Sequence, residues 1–365
     1  MLVLLSLCIW LYLFIAHGSF WRSEPQLPPA APAELPDVDI VIPARDEAAT
    51  IGAVVGSLLA QDYAGLFRIT LVDDQSTDAT AAVAGESPRL TVIAGSAKPP
   101  GWSGKLWALS QGIDATSAPV LLLADADIVH DPRHLSSLVA RLMRPRVELV
   151  SEMVRLNCES VAERLLIPAF VYFFQMLYPF SKVNDPHSSW AAACGGTVLL
   201  RRSTLALIGG IDVIKSTLID DVALAKAVKR LGPIYLGHSG LATSIRPYPA
   251  AVDIWRMITR TAFTQLRYSS LLLMLTMLGL TLVWLVPVGA VLFVPGWPRA
   301  MGVATLTLAA VSYCPTLQRF GVSSAYSILL PLIAVFYMAA TLGSALEHWF
   351  GSGARWKNRA YGSQR

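Results

Sequence analysis

The sequence predicts an α/β protein, a doubly wound sheet carried between transmembrane helices at both ends of the chain. Three observations predict it. From Val38 to about Tyr248, short β-rich runs alternate with helical stretches, the pattern of a mostly parallel sheet. Outside that interval the chain is nearly all apolar. Four acidic motifs lie where an apolar run ends or a helix starts, and ligands of such sheets bind beyond the carboxyl ends of the strands. Composition agrees. The 365 residues are 54% hydrophobic and 15% charged, with a mean hydropathy of +0.52, against about 25% charge in an ordinary soluble domain. A disordered chain, a fibrous chain and a simple soluble enzyme are excluded. The net charge of +4 is too mild for a nucleic-acid binder and forms no Lys/Arg stripe; it suits an anionic membrane face. Cys8, Cys158, Cys194 and Cys314 show no CxxC and no ligand spacing, so they support neither a disulfide framework nor a zinc site.

In chain order, Leu2–Phe20 is almost unbroken apolar sequence, long enough to span a bilayer. A signal peptide would carry a basic start, and here no Lys or Arg precedes Arg22. Residues 1–22 therefore read as an uncleaved anchor, with Arg22 placing the bulk of the chain in the cytoplasm. Residues 23–37 contain EPQLPPAAPAELP, a Pro-rich linker. Residues 38–267 form the globular domain. Its expected strands are Asp39–Ile42, Ile69–Val72, Leu90–Ile93 and Val120–Ala124. Its expected helices are Ala48–Ala60, Ala79–Ala84, Lys105–Ala115 and Pro132–Leu142. The aromatic, apolar run at 164–181 reads as an interfacial helix, with a buried core helix as the alternative. Residues 268–350 hold two or three membrane segments: Ser270–Val294, a short Met301–Tyr313, and Tyr326–Leu346. Trp284, Trp297 and Trp349 suit interface anchors. The tail, 351–365, is basic through Arg355, Lys357, Arg359 and Arg365, and reads as cytoplasmic.

The chemistry-bearing residues sit at the element ends. Asp39–Ile42 runs into Pro43-Ala44-Arg45-Asp46-Glu47. The next strand runs into Asp73-Asp74-Gln75-Ser76-Thr77-Asp78; helix capping explains Asp78 and the hydroxyls, but not the adjacent acids. Leu121–Ala124 ends in Asp125-Ala126-Asp127. On an extended backbone residues i and i+2 share a side, so two carboxylates would face a hard divalent cation; solvated loop acids are the plainer reading. Asp220-Asp221 opens a helix, where the macrodipole favours acids. A carboxylate among carboxylates also has a raised pKa, which suits a general base. Gly101-Trp102-Ser103-Gly104-Lys105 sets a lysine in a first helical turn, a fit for phosphate. No GxxxxGK[ST] and no GxGxxG occur, which disfavours a P-loop or dinucleotide enzyme. Cys194-Gly195-Gly196 leaves bare backbone for a ligand. His187 and His238 stand alone without ligand spacing. Arg201-Arg202 is read as a solvated pair, with phosphate contact the alternative.

In this order these motifs resemble a family 2 inverting glycosyltransferase with the GT-A fold. GWSGKLWALSQG and the tail RWKNRAYG are most similar to the hopene-associated glycosyltransferases of bacterial hopanoid gene clusters. The resemblance implies a bacterial inner-membrane, multi-pass enzyme with a cytoplasmic catalytic domain, taking a UDP-sugar donor and a lipid acceptor. It implies that Asp73 and Asp74 meet the uridine, flanked by Pro43, Arg45 and Glu47. Asp125 and Asp127 would hold Mg2+ or Mn2+. Lys105, Gly195 and Gly196 would line the donor site. Asp221 would be the base, with Asp220 beside it. Members often carry Gln-x-x-Arg-Trp; here the matching stretch is Trp255–Thr261, where Arg256 and Arg260 could take the basic role near the diphosphate. The Gln and Trp are missing, which weighs against processive polymer synthesis and leaves acceptor stacking to Trp356 as a candidate. The other readings are a non-catalytic nucleotide-sugar-binding membrane subunit and a processive polysaccharide synthase.

Overall fold

The computed structural model describes residues 1–145 and 147–351, with the backbone of 355–356 and 359–360. The basic tail otherwise lies outside the described residues, as does the side chain of Trp356. The chain forms two compact units. One is helical and gathers Met1–Glu24, Cys158–Ser181 and Tyr248–Ala354; the other holds Pro25–Asn157, Lys182–Pro247 and Arg355–Arg365. The single interval 38–267 is thus divided, because 158–181 and the residues after Pro247 make their contacts with other helices.

The second unit is built on an eight-stranded sheet. Its strands are β1 (Val38–Ala44), β2 (Phe67–Asp73), β3 (Leu90–Ala94), β4 (Val120–Ala124), β5 (Ile128–His130), β6 (Leu149–Arg155), β7 (Thr197–Arg201) and β8 (Ile234–Ser244). The order is β3-β2-β1-β4-β7-β6-β8-β5. The half β3-β2-β1-β4 is parallel. In the other half β7 runs antiparallel to β4 and β6, and β5 antiparallel to β8, so the sheet is mixed. β1 and β4 are buried along their whole length, as expected of strands covered on both faces. Ile40, Ile42, Phe67, Ile69 and Leu122 pack with Ile51, Val54 and Leu58 of the helix Ile51–Leu59. Each such side chain contributes about 1.5–3 kcal/mol on burial.

The first four strands and helices lie within a few residues of expectation. β6 and β8 were not foreseen. β6 carries Glu152, which is fully buried and accepts from His134 at 2.6 Å and Ser239 at 3.1 Å. His134 meets His130 at 2.7 Å. Burial first, and the neighbouring His134 second, hold His130 well below the usual histidine range. Arg202 is only partly solvated and is tied to the protein: its guanidinium donates to Ala118 O at 2.7 Å, Ile113 O at 3.2 Å and Thr116 Oγ1 at 2.8 Å.

Among the described residues, the helical unit contains three helices long and apolar enough to cross a membrane, Ser270–Phe293, Trp297–Arg319 and Ser324–Phe350. The middle one is far longer than the Met301–Tyr313 expected. Pro315 is accommodated inside it instead of ending it, and Thr305 donates back to the Met301 carbonyl at 2.8 Å. The N-terminal helix is only Leu2–Ile15. That is ~21 Å at 1.5 Å per residue, short of a hydrocarbon core of about 30 Å. It is a packed member of the unit: Trp10 is fully buried, lies edge-on to Trp284 at 5.0 Å and donates to Val283 O at 3.2 Å. Trp284 is therefore core, whereas Trp297 and Trp349 are exposed. The helix Val161–Leu177 is tied in by Tyr172 to Ser312 at 2.6 Å and by Tyr337 to Leu166 O at 2.8 Å, the contacts of the core alternative.

Candidate active site

The site lies in the sheet unit, beyond the carboxyl ends of β1, β2 and β4. Its first wall is two interlaced loops. Arg45 donates to the backbone carbonyls of Asp74 and Gln75, the latter at 2.9 Å. Asp46 accepts from Thr77 N at 2.7 Å and donates its own N–H to Ser76 Oγ at 3.0 Å. Asp78 accepts from Ala48 N at 3.0 Å and from Thr80 N at 3.0 Å, where the next helix starts. Asp46 and Gln75 both hold positive φ, 50° and 55°, a cost that such a laced pair of loops sustains. Asp74 is fully buried, so of the adjacent acids only Asp73 keeps surface, and it accepts from Ser76 N at 3.1 Å. Arg45 thus shapes the loop.

The second wall is a small cavity, partly open to solvent, whose lining includes Pro43, Lys105, Asp125, Gly195, Asp220 and Asp221. Lys105 is aimed into it by its helix, Gly104–Asp114. Ser103 caps that helix through Leu106 N at 3.2 Å. At Gly112 the helix lies so close to the sheet that a Cβ would stand 2.4 Å from Val41 Cγ1. The ammonium bonds Asp125 at 2.8 Å and Asp220 at 3.3 Å. Asp221 opens the helix Asp220–Lys229 and accepts from Gly195 N at 2.9 Å and Val222 N at 2.7 Å. A Cβ on Gly195 would lie 3.1 Å from the Lys105 ammonium and 3.6 Å from Asp221 Oδ2, so a side chain here would crowd the ammonium that glycine leaves room for. Gly196 instead packs on Val154.

Three carboxylates face one ammonium, and the titration reflects it. Burial, and then Asp220, push Asp221 up to about 7. Burial, then Asp127 and Asp220 against the opposing Lys105, raise Asp125. Burial alone would lower the Lys105 ammonium, but Asp125 and Asp220 outweigh it and raise it.

Asp127 faces elsewhere. The two acids of Asp125-Ala126-Asp127 lie past the end of β4, in a turn, so the extended-chain rule that would align them does not hold. Asp127 accepts from Arg246 at 2.6 Å, and Arg246 also binds Glu47 at 2.6 Å. Asp127 and Glu47 raise the Arg246 pKa against the opposing effect of burial. Arg246 is the residue sequence reasoning missed. It sits just past β8, a strand with no clean apolar pattern, and so gave no signal. Glu47 is buried in this bridge. Arg256 and Arg260 belong to the helical unit: Arg256 lies 3.6 Å from Asp253, and Arg260 lines a pocket with Phe263, Tyr268 and His348.

Among the described residues no three His, Cys, Asp or Glu side chains are gathered as a ligand set. The donor chemistry nevertheless fits Mg2+ or Mn2+: hard carboxylate oxygens outnumber the cation beside them, at a junction kept open by glycine. Such ions take one or two carboxylates and complete their shell with water and substrate phosphate.

Residues 39–208 match the family model described as Glycosyl transferase family 2. A stretch of 55 residues is 44% identical to an N-acetylglucosaminyltransferase of Neorhizobium galegae; it covers 15% of this chain and 13% of that protein's length. The fold is similar to that of the mannosyltransferase PcManGT from Pyrobaculum calidifontis, solved in complex with GDP-Man and Mn2+. The TM-score is 0.56 at 19% identity, over 94% of this chain and 99% of that one. At that identity the likeness establishes the GT-A-type fold.

Proposed function

The chain carries a family 2 glycosyltransferase domain, and from that premise we propose that it moves one sugar from a UDP-sugar to a hydroxyl of a membrane lipid, with inversion. The observation that carries the reading is Asp221. Its carboxylate is oriented by two backbone N–H groups and pushed up to about 7, the range in which a base both exists ionised and accepts a proton well. Asp221 takes the proton of the acceptor hydroxyl. The hydroxyl oxygen bonds to the anomeric carbon as the bond to the diphosphate oxygen breaks, and the electron pair leaves with the diphosphate. Asp125 would hold Mg2+ or Mn2+, which when bound offsets charge on the leaving diphosphate; Asp127, the other acid of the motif, is taken up by Arg246. Lys105 supplies a second positive charge on the same side. The loop wall of Pro43, Arg45 and Asp73 forms the nucleoside end of the site.

The lipid acceptor is supported by the three helices long and apolar enough to span. A bacterial inner membrane with the sheet unit in the cytoplasm is the matching location, and a hopanoid is the acceptor that the motifs favour. The test is a panel of UDP-sugars and GDP-Man with purified chain in detergent, with and without Mn2+ and bacterial lipid extract. Metal-dependent nucleotide release that rises with lipid and yields a glycolipid with one added sugar is the expected result. A ladder of products would replace it with a processive synthase. Nucleotide binding without release from any donor would replace it with a binding subunit.

A further inference from the structure

The acidic cavity holds its own cation. Lys105 is only 18% exposed at the side chain, and its helix, capped by Ser103 and packed tightly at Gly112, fixes where its ammonium sits. It bonds Asp125 at 2.8 Å and Asp220 at 3.3 Å, while Asp221 stands across Gly195. A phosphate clamp would be expected to point at open space between substrate and helix. This ammonium instead spends its hydrogen bonds on the carboxylates. A divalent ion on Asp125 would stand a few ångströms from a fixed positive charge, and like charges at that range repel strongly where water is partly excluded. We propose that Lys105 is the resident counter-ion of the acidic pocket and that a divalent cation competes with its ammonium for Asp125. The inference rests on the reading of Asp125 as a metal ligand. It makes Lys105 a positioning residue that keeps three carboxylates together without metal and sets how tightly the metal binds.

The test uses purified full-length chain in detergent, without nucleotide, and tracks Mn2+ binding by calorimetry. Lys105→Met is expected to bind Mn2+ about tenfold more tightly than the wild type, and Lys105→Arg to stay within about threefold of it, the size of coupling typical between linked sites. Metal-free Lys105→Met should also unfold at a lower temperature, with the loss restored by Mn2+. Equal or weaker Mn2+ binding by Lys105→Met, with the wild type still binding, overturns this inference alone. Absence of Mn2+ binding by both overturns the metal reading with it. If Lys105→Met does not fold, the wild type decides: acylation of the Lys105 amine, read by mass spectrometry, should rise severalfold with Mn2+, and unchanged or reduced labelling overturns the proposal.

Discussion

Two ionic clusters stand on the same sheet, and they differ in charge balance. In one, Asp125, Asp220 and Asp221 share Lys105. In the other, Asp127 and Glu47 share Arg246, with both bonds at 2.6 Å. The first has two carboxylates in excess, keeps a cavity at Gly195 and raises Asp221 to about 7. The second has one carboxylate in excess and joins the loop after β1, the turn after β4 and the end of β8. Two spare carboxylates beside space mark the place for chemistry; two carboxylates that share one guanidinium mark a joint. Removing the cation should therefore change metal affinity in the first cluster and stability alone in the second.

The largest effect is expected at the excess. Asp221→Asn keeps the shape and removes the base, and should lower turnover by about 10²–10⁴-fold while leaving nucleotide affinity nearly unchanged. Initial rates and nucleotide titration check both halves. Wild-type turnover in this variant would break the comparison at its centre. At the joint, Arg246→Met leaves Asp127 and Glu47 facing each other with no cation between them. Because Arg246 is 32% exposed, the loss should be about 2–3 kcal/mol, seen as a lower unfolding temperature in detergent.

A smaller and more diagnostic effect is expected at Asp220. Removing its charge in Asp220→Asn relieves the repulsion that helps raise Asp221. The acidic limb of the pH–rate profile should rise through about pH 7 in the wild type and move down by about one unit in the variant. Stability depends on the same group. The folded state binds the Asp221 proton in the window from about 4 to about 7, where the unfolded state has lost it, so this group's contribution falls as pH rises through that window. The fall should be shallower in Asp220→Asn. A limb that stays put would remove charge crowding as the cause.

How much of this was legible depends on whether a residue obeys a local rule. β1 to β4 were legible because each carries a short run rich in Val, Ile and Leu, and β4 is uninterrupted apolar sequence that runs into acids. β6 and β8 were not, because Glu152, His238 and Ser239 are buried polar residues inside them. The Gly195 and Asp221 meeting was legible as motif order only; its geometry depends on a hydrogen bond across 26 residues. The separation of Asp125 from Asp127 was hidden because the strand ends at Ala124, one residue before the pair.

The smallest expected effect tests whether the Lys105 cluster depends on its helix as the Arg246 joint depends on its strand end. Ser103→Ala removes the cap on Leu106 N and should cost about 1 kcal/mol. The first turn then loosens at the point where Lys105 departs. If the cap positions the ammonium, Mn2+ should bind somewhat more tightly in Ser103→Ala, in the same direction as in Lys105→Met but by less. Arg246→Met, equally destabilised or more so, should show no such tightening. Loss of stability in Ser103→Ala with unchanged Mn2+ affinity would mean that packing at Gly112, and not the cap, aims Lys105.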